Sequence, residues 1–314
     1  MTDAGRANDA GGVNDAGVTG SVPIPDVQRS EVAIASPGHG DGHWAGAPSA
    51  SISDDGVYLA YRLRRPVAQG RGYAVVVAHS SNGVDFNTVQ VLTRDQFASD
   101  SLERPALVRL PDGRWRIYLS IATPGTLHWR IDAIDADDPA HFDPTKRVTV
   151  MPGDEDAGYK DPVIIRTGDD WRMWVCQHVI HPSGVADEMS TRLATSTDGL
   201  SWELQGDALV GRPGEWDARG ARITAVLADH QPPVAYYDGR MSAKQNWEEM
   251  TGLAVESSPD TFTSVSAAPL ALSPFGNGGL RYLSIIEQDG GYRLYFEVTE
   301  SDGSHDLRTQ YVPR

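Results

Sequence analysis

Three short stretches of the sequence place carboxylate side chains beside basic side chains. They are Glu103-Arg104-Pro105, Lys160-Asp161-Pro162 and Glu215-Trp216-Asp217-Ala218-Arg219. Burial raises the pKa of a carboxyl group and a neighbouring cation lowers it, so carboxyl groups in such surroundings can take different roles in proton transfer. The three stretches therefore predict a site of acid–base chemistry, provided that the fold brings them together.

Further charged and aromatic residues occur near these stretches. We expect the same site to contact its substrate through Trp44, His43, Arg104, Tyr159, Lys160, Glu215, Trp216, Arg219, Asp238 and Arg281. Flat aromatic rings can stack on a ligand, but packing in the core is an equal alternative for each of them. The alternative for Asp161 and Arg104 is that they only cap strand ends and pair with each other.

The stretches belong to a repeat that runs through most of the chain. Matching segments are anchored at residues 48, 105, 162, 221 and 282, which gives steps of 57, 57, 59 and 61 residues. Each anchor is followed 12 to 15 residues later by an aromatic residue of the predicted core: Tyr61, Tyr118, Trp174, Tyr236 and Tyr295. A second motif, an Asn/Asp-Gly turn before an aromatic residue, recurs at residues 80–86 and 196–202.

Each copy has the pattern of four strands joined by Asp/Gly turns. Alternating apolar residues with such turns indicate antiparallel hairpins, and four strands in a repeat of this length are typical of a propeller blade. We therefore predict an all-β fold, a five-bladed β-propeller over residues 28–314 with four antiparallel strands per blade. The blades lie near residues 45–92, 102–150, 159–207, 217–267 and 278–314, and residues 30–36 supply the last strand and close the ring. A β-sandwich is the alternative.

The first strand of each blade lines the central channel of a propeller. The segments that open these strands are residues 41–47, 102–104, 158–161, 215–219 and 277–281, and they should meet at one end of the channel. Loops on a rigid scaffold commonly carry function, so we expect the site there.

Composition limits the partners of the chain. The formal net charge is −16, which argues against nucleic acid and anionic membrane surfaces, because phosphate binding needs clustered Lys and Arg. No apolar run is long enough to span a bilayer. Residues 1–27 read as a disordered tail rather than a secretory signal. Cys176 is the only cysteine, so no disulfide framework is possible and a cytoplasmic protein is expected, or a secreted one if a leader has been removed. We also expect a monomer or a small homo-oligomer.

Taken together, these features resemble the five-bladed propeller glycoside hydrolases, which include arabinanases, β-xylosidases and invertases of families 43 and 32. The resemblance covers nearly the whole chain and rests on the five copies, the strand openings that end in proline and the hairpin at residues 196–202. Lys160-Asp161-Pro162 is similar to the Arg-Asp-Pro element of those families, and Glu103-Arg104-Pro105 to their Glu-Gly-Pro element. The resemblance implies a small-molecule or oligosaccharide glycoside as substrate.

Catalytic roles follow from the resemblance. It implies that Glu103 is the proton donor, that Asp161 is the ionised partner held by Lys160 or Arg219, and that Asp217 tunes the pKa or orients a hydroxyl group. Ala47-Pro48 departs from the pattern, because an Asp-Pro is expected in the first blade. This departure leaves two other hypotheses open: the tailoring of a sugar-derived metabolite, and carbohydrate binding without catalysis.

No cofactor is expected, although some propellers of this group hold a structural Ca²⁺ or Na⁺ in the channel. His305 in the last strand is the candidate metal ligand here. His178 and His181 have no diagnostic metal-binding spacing and are interpreted as loop residues.

Overall fold

The structure is a computed structural model that describes residues 22–184 and 186–314. The described residues form twenty β-strands: β1 (Glu31–Ile34), β2 (Trp44–Ser53), β3 (Gly56–Arg64), β4 (Gly72–Ser80), β5 (Asn87–Thr93), β6 (Leu102–Arg109), β7 (Trp115–Ala122), β8 (Trp129–Ala136), β9 (Val148–Met151), β10 (Ala157–Thr167), β11 (Asp170–Val179), β12 (Glu188–Ser196), β13 (Glu203–Leu209), β14 (Gly220–Leu227), β15 (Val234–Arg240), β16 (Met250–Ser258), β17 (Thr261–Ser264), β18 (Leu280–Gln288), β19 (Gly291–Thr299) and β20 (His305–Pro313). Short 3₁₀ helices cover Val27–Arg29, Val67–Gln69, Arg94–Phe97, Pro144–Lys146 and Ala243–Gln245.

Strand pairing divides these strands into five antiparallel units. Blades one to four are β2–β5, β6–β9, β10–β13 and β14–β17, in chain order. Blade five is β18–β20 with β1, which pairs antiparallel to β20 and places Glu31 opposite Thr309. The N-terminal strand therefore completes the last blade and covers its edge. The prediction of an all-β propeller closed by an N-terminal strand is confirmed.

Five apolar cores lie between successive blades. Leu92 of blade one packs with Ile117 of blade two, and the cluster of blades five and one holds Tyr295 together with Leu59. The other three clusters join blades two and three, three and four, and four and five. Each blade thus buries both faces against its neighbours, which fixes the ring and leaves the axis to the polar ends of the innermost strands.

The recurring aromatic residues lie in the core, as the sequence predicted, and two of them also connect neighbouring blades. Tyr118 and Tyr295 are fully buried, and their hydroxyl groups donate to the carbonyl oxygens of Gly199 and Gly83 at 2.7 and 2.8 Å. Both glycines lie in the Asn/Asp-Gly turns of the following blade and have positive φ. The two sequence motifs therefore form one contact.

Most of the predicted disordered tail lies outside the described residues. The part that the structure describes contacts the propeller, since Tyr236 Oη donates to the carbonyl oxygen of Pro23 at 2.8 Å. No helix in the described part of the chain has the length and apolar character needed to cross a membrane.

Candidate functional site

The innermost strands of four blades share a break in their pairing. The register with the second strand shifts between Gly46 and Ser49, Leu102 and Pro105, Lys160 and Val163, and Arg281 and Ser284. The first residues bypassed are Ala47, Glu103, Asp161 and Tyr282, and three of them have φ near +55°, namely 53° for Ala47, 57° for Asp161 and 56° for Tyr282. Left-handed backbone at non-glycine residues is costly, and such bulges often aim side chains into functional sites.

The bulges correct the sequence alignment of the blades. Glu103, and not Arg104, occupies the position that Asp161 has in blade three. In blade four the register shift bypasses Thr224. Asp217 lies seven residues before Thr224 and therefore does not occupy the position that Asp161 has in blade three. The sequence alignment used proline as its anchor. In blades one and three the proline is the second residue of the bulge (Pro48 and Pro162), whereas in blade two Pro105 is the first residue after the bulge.

A continuous chain of alternating charges crosses this end of the channel. Starting from Glu103, it runs through Arg62, Glu297, Arg281, Glu249, Arg222 and Asp161 to Lys160, and the ion-pair distances along it are 3.0, 2.6, 2.8, 2.6, 3.8, 2.9 and 3.2 Å. Asp238 and Arg240 branch from it through Arg222 and Glu249. All ten side chains are buried. Buried charges of this kind are stable only when they are paired, so the network fixes its members in place.

Glu297 occupies the space beside the first-blade bulge. Its Oε2 accepts the backbone N–H of Ala47 at 3.1 Å and lies against Gly46. Its Oε1 is 2.7 Å from His305 Nδ1, and His305 stacks on Trp44 with ring centroids 4.4 Å apart. Blade five thus supplies a carboxylate where blade one has none.

A cavity of about 130 Å³ opens at this end of the channel. Its charged lining consists of two carboxylates, Glu103 and Glu249, and six cationic residues, Arg64, Arg71, Lys160, Arg222, Arg240 and Arg281. Much of the remaining wall is formed by aromatic rings, those of Trp129, Trp247, Tyr282 and His178. The cavity is therefore polar, cationic and partly aromatic.

The pKa directions show which groups are ionised. Burial raises the pKa of Glu103, but Arg62, Arg64 and Lys160 outweigh it and hold the pKa below its ordinary value. Cations outweigh burial in the same way at Glu249 and Asp161, and their pKa values lie far below the ordinary range. Burial raises the pKa of Asp238 to about 6, against the opposing effect of Arg222. Both carboxylates that line the cavity are therefore ionised near neutral pH.

Tyr282 and Arg104 close the channel below the cavity. Tyr282 Oη accepts from Arg222 Nη1 at 2.9 Å and donates to Asp161 Oδ2 at 3.3 Å, and burial raises its pKa far above the ordinary value. Arg104 Cζ lies 5.9 Å from the Tyr282 ring centroid, and the guanidinium donates to the carbonyl oxygens of Pro48, Thr224 and Leu283.

These carbonyl groups bear on the cation implied by the resemblance. Three converging carbonyl oxygens suit a hard cation, but here they accept hydrogen bonds from Arg104, so they do not fit a separate ion. His305 contacts Glu297 and Glu248, yet no group of three or more His, Cys, Asp or Glu side chains in the described ranges suits a metal.

The structure brings together only part of the predicted site. Glu103, Lys160 and Arg281 line the cavity, whereas Asp161, Asp238 and Arg104 lie in the network or at the axis behind it. The remaining predicted residues do not line it: Trp44, His43, Tyr159, Glu215, Trp216, Asp217 and Arg219.

Each of these seven has its own surroundings. Tyr159 and Trp216 pack in the cores between blades, and Trp44 supports Arg64, whose Cζ lies 4.4 Å from its ring. Asp217 is buried between Arg212 Nε at 3.0 Å and Tyr237 Oη at 2.7 Å. The remaining three lie in loops: Arg219 pairs with Asp187 and Glu188, Glu215 is exposed, and His43 precedes β2.

Sequence reasoning missed Tyr282 and five members of the network, namely Arg62, Arg222, Arg240, Glu249 and Glu297. One signal was available for two of them. Arg62 and Glu297 follow the recurring tyrosines Tyr61 and Tyr295 within two residues, in strands that are otherwise mostly apolar. A charge at such a position must find a partner, which indicates a site.

Comparisons with known proteins agree with the geometry. No known family profile and no curated protein sequence matches the chain. Solved structures do: a glycosyl hydrolase from Bacteroides ovatus has a TM-score of 0.63 at 14% identity, with 91% of this chain and 89% of that chain covered. A thermostable family-43 glycoside hydrolase has a TM-score of 0.63 at 14% identity, with 85% of this chain and 88% of that chain covered. An α-L-arabinofuranosidase from Lactobacillus brevis has a TM-score of 0.60 at 14% identity, with 85% of this chain and 90% of that chain covered. The chain therefore shares the fold of the propeller glycoside hydrolases, as the sequence resemblance indicated.

Proposed function

We propose that this chain is an enzyme that cleaves or transfers a glycosidic bond of a small glycoside or an oligosaccharide. One observation carries the proposal: ionised Glu103 lines a cavity at the channel end of a propeller with the glycoside hydrolase fold. Fold alone does not assign function, so the argument rests on this carboxylate and its surroundings.

The proposed roles follow from protonation states. Ionised Glu103 acts as the base that takes a proton from the attacking water or hydroxyl group. Tyr282 keeps its proton and lines the same cavity, so it is the candidate that donates to the leaving oxygen. Arg222 Nη1 donates to Tyr282 Oη at 2.9 Å and partly offsets the cost of forming the buried phenolate. These roles replace the sequence-based assignment of Glu103 as acid.

The experiment is a screen of the purified chain against aryl furanosides and pyranosides, whose activated leaving groups need little acid assistance. Glu103→Gln is run beside the wild type, and Glu215→Gln serves as the matched control because Glu215 is exposed. We expect turnover by the wild type and the control and its loss in Glu103→Gln. Equal turnover by Glu103→Gln would refute the assignment.

A second candidate function is favoured by two observations. Neither carboxylate of the cavity has a raised pKa, and Ala47 leaves the first-blade bulge without a carboxylate side chain. A glycosidase normally needs a protonated carboxyl group, so the chain could instead modify a sugar-derived metabolite by other chemistry or bind carbohydrate without turnover. Carbohydrate binding without hydrolysis of any aryl glycoside in the screen would favour this candidate.

A further inference from the structure

The cationic residues of the cavity are not balanced by its carboxylates. Six Lys and Arg side chains line it with only two carboxylates, in a chain whose formal net charge is −16. The carboxylates are already shared, because Glu103 contacts Arg62 and Arg64 while Glu249 contacts Arg222, Arg240 and Arg281. Carboxylates behind the cavity pair with three of the other cations, because Asp161 contacts Lys160 and Arg222, and Glu297 contacts Arg281. The excess positive charge at the opening therefore belongs to Arg64 and Arg71.

Arg71 is the clearest case. It has no carboxylate within 4.0 Å among the described residues, and its Nε is buried without a hydrogen-bond partner. Its Cζ lies 5.7 Å from the ring centroid of Trp129 in the cavity wall. A buried donor without a partner is costly, which indicates that a ligand satisfies it.

Arg64 and Lys160 extend the same surface. Arg64 is held between Trp44 and Trp247 with its Cζ 4.4 and 4.8 Å from their ring centroids, and its nearest carboxylate, Glu103, is 3.5 Å away. Its Nε is also buried without a partner. Lys160 Nζ lies 5.1 Å from the Trp129 ring centroid, and Asp161 is the one carboxylate within 4.0 Å of it in the described part of the chain. Rigidly held cations of this kind are suited to binding an oxyanion.

We propose that the cavity binds an anionic group carried by the substrate, and that the substrate is an acidic sugar bearing a carboxylate, sulfate or phosphate ester. Arg64, Arg71 and Lys160 contact this group, and Trp129 and Trp247 pack against the sugar. That the ligand is a sugar rests on the proposed function, and the cationic lining adds that this sugar is acidic. A neutral sugar can accept hydrogen bonds through its hydroxyl oxygens, but it would leave the positive charge of Arg64 and Arg71 uncompensated.

The test is a binding measurement by calorimetry, which needs no turnover. The probes are glucuronate, glucose 6-sulfate, glucose 6-phosphate, neutral glucose and inorganic phosphate. We expect at least one acidic sugar to bind at least tenfold more tightly than glucose and more tightly than inorganic phosphate, with an affinity that falls as salt is raised. Arg71→Gln should weaken that binding at least tenfold without changing the unfolding midpoint, because Arg71 has no ion pair to lose.

Arg109→Gln is the matched control, since Arg109 is exposed and pairs with Asp54 on the surface. The proposal is overturned if glucose binds as tightly as every acidic sugar, if Arg71→Gln binds like the wild type, or if inorganic phosphate alone binds. The last outcome would assign the pocket to a free anion. Acidic-sugar binding without glycoside turnover would leave this inference standing and refute only the proposed hydrolysis.

Discussion

Glu297 Oε2 accepts the backbone N–H of Ala47 at 3.1 Å and so places a carboxylate from blade five beside the bulge of blade one. The same oxygen accepts from Arg62 Nη2 at 2.6 Å, and Arg281 and Arg62 outweigh the effect of burial and hold the pKa of Glu297 far below its ordinary value. This glutamate therefore anchors the first blade to the charged network. Its carboxylate supplies beside Ala47 the negative charge that an aspartate at position 47 would carry.

Close packing at Glu297 gives the first prediction. A Cβ at Gly46 would overlap the Glu297 carboxylate, so Gly46→Ala should lower the free energy of unfolding by about 1–3 kcal/mol. Denaturant titration measures the loss. Gly206→Ala is the control, because a Cβ at Gly206 meets no atom within 4 Å. Equal stability of the two variants would contradict the packing.

The second prediction concerns Arg62, which is fully buried and pairs with Glu103 and Glu297. Arg62→Met leaves two buried carboxylates without this partner, and the free energy of unfolding should fall by about 3–5 kcal/mol. Arg109→Met, which removes the exposed pair with Asp54, should leave the denaturation midpoint unchanged. A stable Arg62→Met protein would show that the network contributes little to folding.

The third prediction is a loss of stability in acid. Glu103, Glu249, Glu297 and Asp161 have lowered pKa values in the folded chain, so the stability they contribute is present above their ordinary values and is lost as pH falls. Asp238 acts in the opposite sense, because its raised pKa of about 6 contributes stability at low pH that is lost as pH rises through 6. Because four carboxylates have lowered pKa values and one has a raised value, the free energy of unfolding should decrease as the pH falls.

Thermal unfolding at a series of pH values tests this balance. The midpoint should fall between about pH 5 and about pH 3, where these carboxylates take up protons in the unfolded chain but not yet in the folded one. Glu103→Gln removes one of the titrating groups and should fall less steeply over this range than the wild type does. A midpoint that is constant or rises on acidification would contradict the ionised state of the network.

The fourth prediction concerns Cys176, which is buried in β11. Burial raises the pKa of its thiol to about 12, so almost no thiolate is present at neutral pH. We expect no alkylation by iodoacetamide in the folded chain and complete alkylation in denaturant. Rapid labelling of the native protein would show that this strand opens readily.

The fold was predictable because its signals are local. The turn at Asp198-Gly199 and the aromatic at Tyr118 recur at fixed spacing, and each acts within one hairpin or between adjacent blades. The site was predictable only in part. Tyr159 and Trp216 have the composition of ligand-contacting residues, and only the packing of the neighbouring blade decides that they belong to the core.

The charged network shows why the rest could not be predicted. Arg62 and Glu297 are separated by 235 positions, and nothing in either strand specifies the other as its partner. The pKa of Glu103 is a similar case, since it depends on Arg62 and Lys160 from two other blades. Spacing along the chain cannot give these distances.

The central claim is that chemistry occurs at Glu103 in the charged cavity and not at the other predicted carboxylate, Asp217. The most direct test compares kcat/KM for Glu103→Gln and Asp217→Asn on an aryl glycoside that the wild type hydrolyses, at a temperature where both variants are folded by circular dichroism. We predict a loss of about 10²–10⁴-fold for Glu103→Gln, as expected for removal of a general base, and near-wild-type activity for Asp217→Asn. Loss of activity in Asp217→Asn with retention in Glu103→Gln would contradict the account.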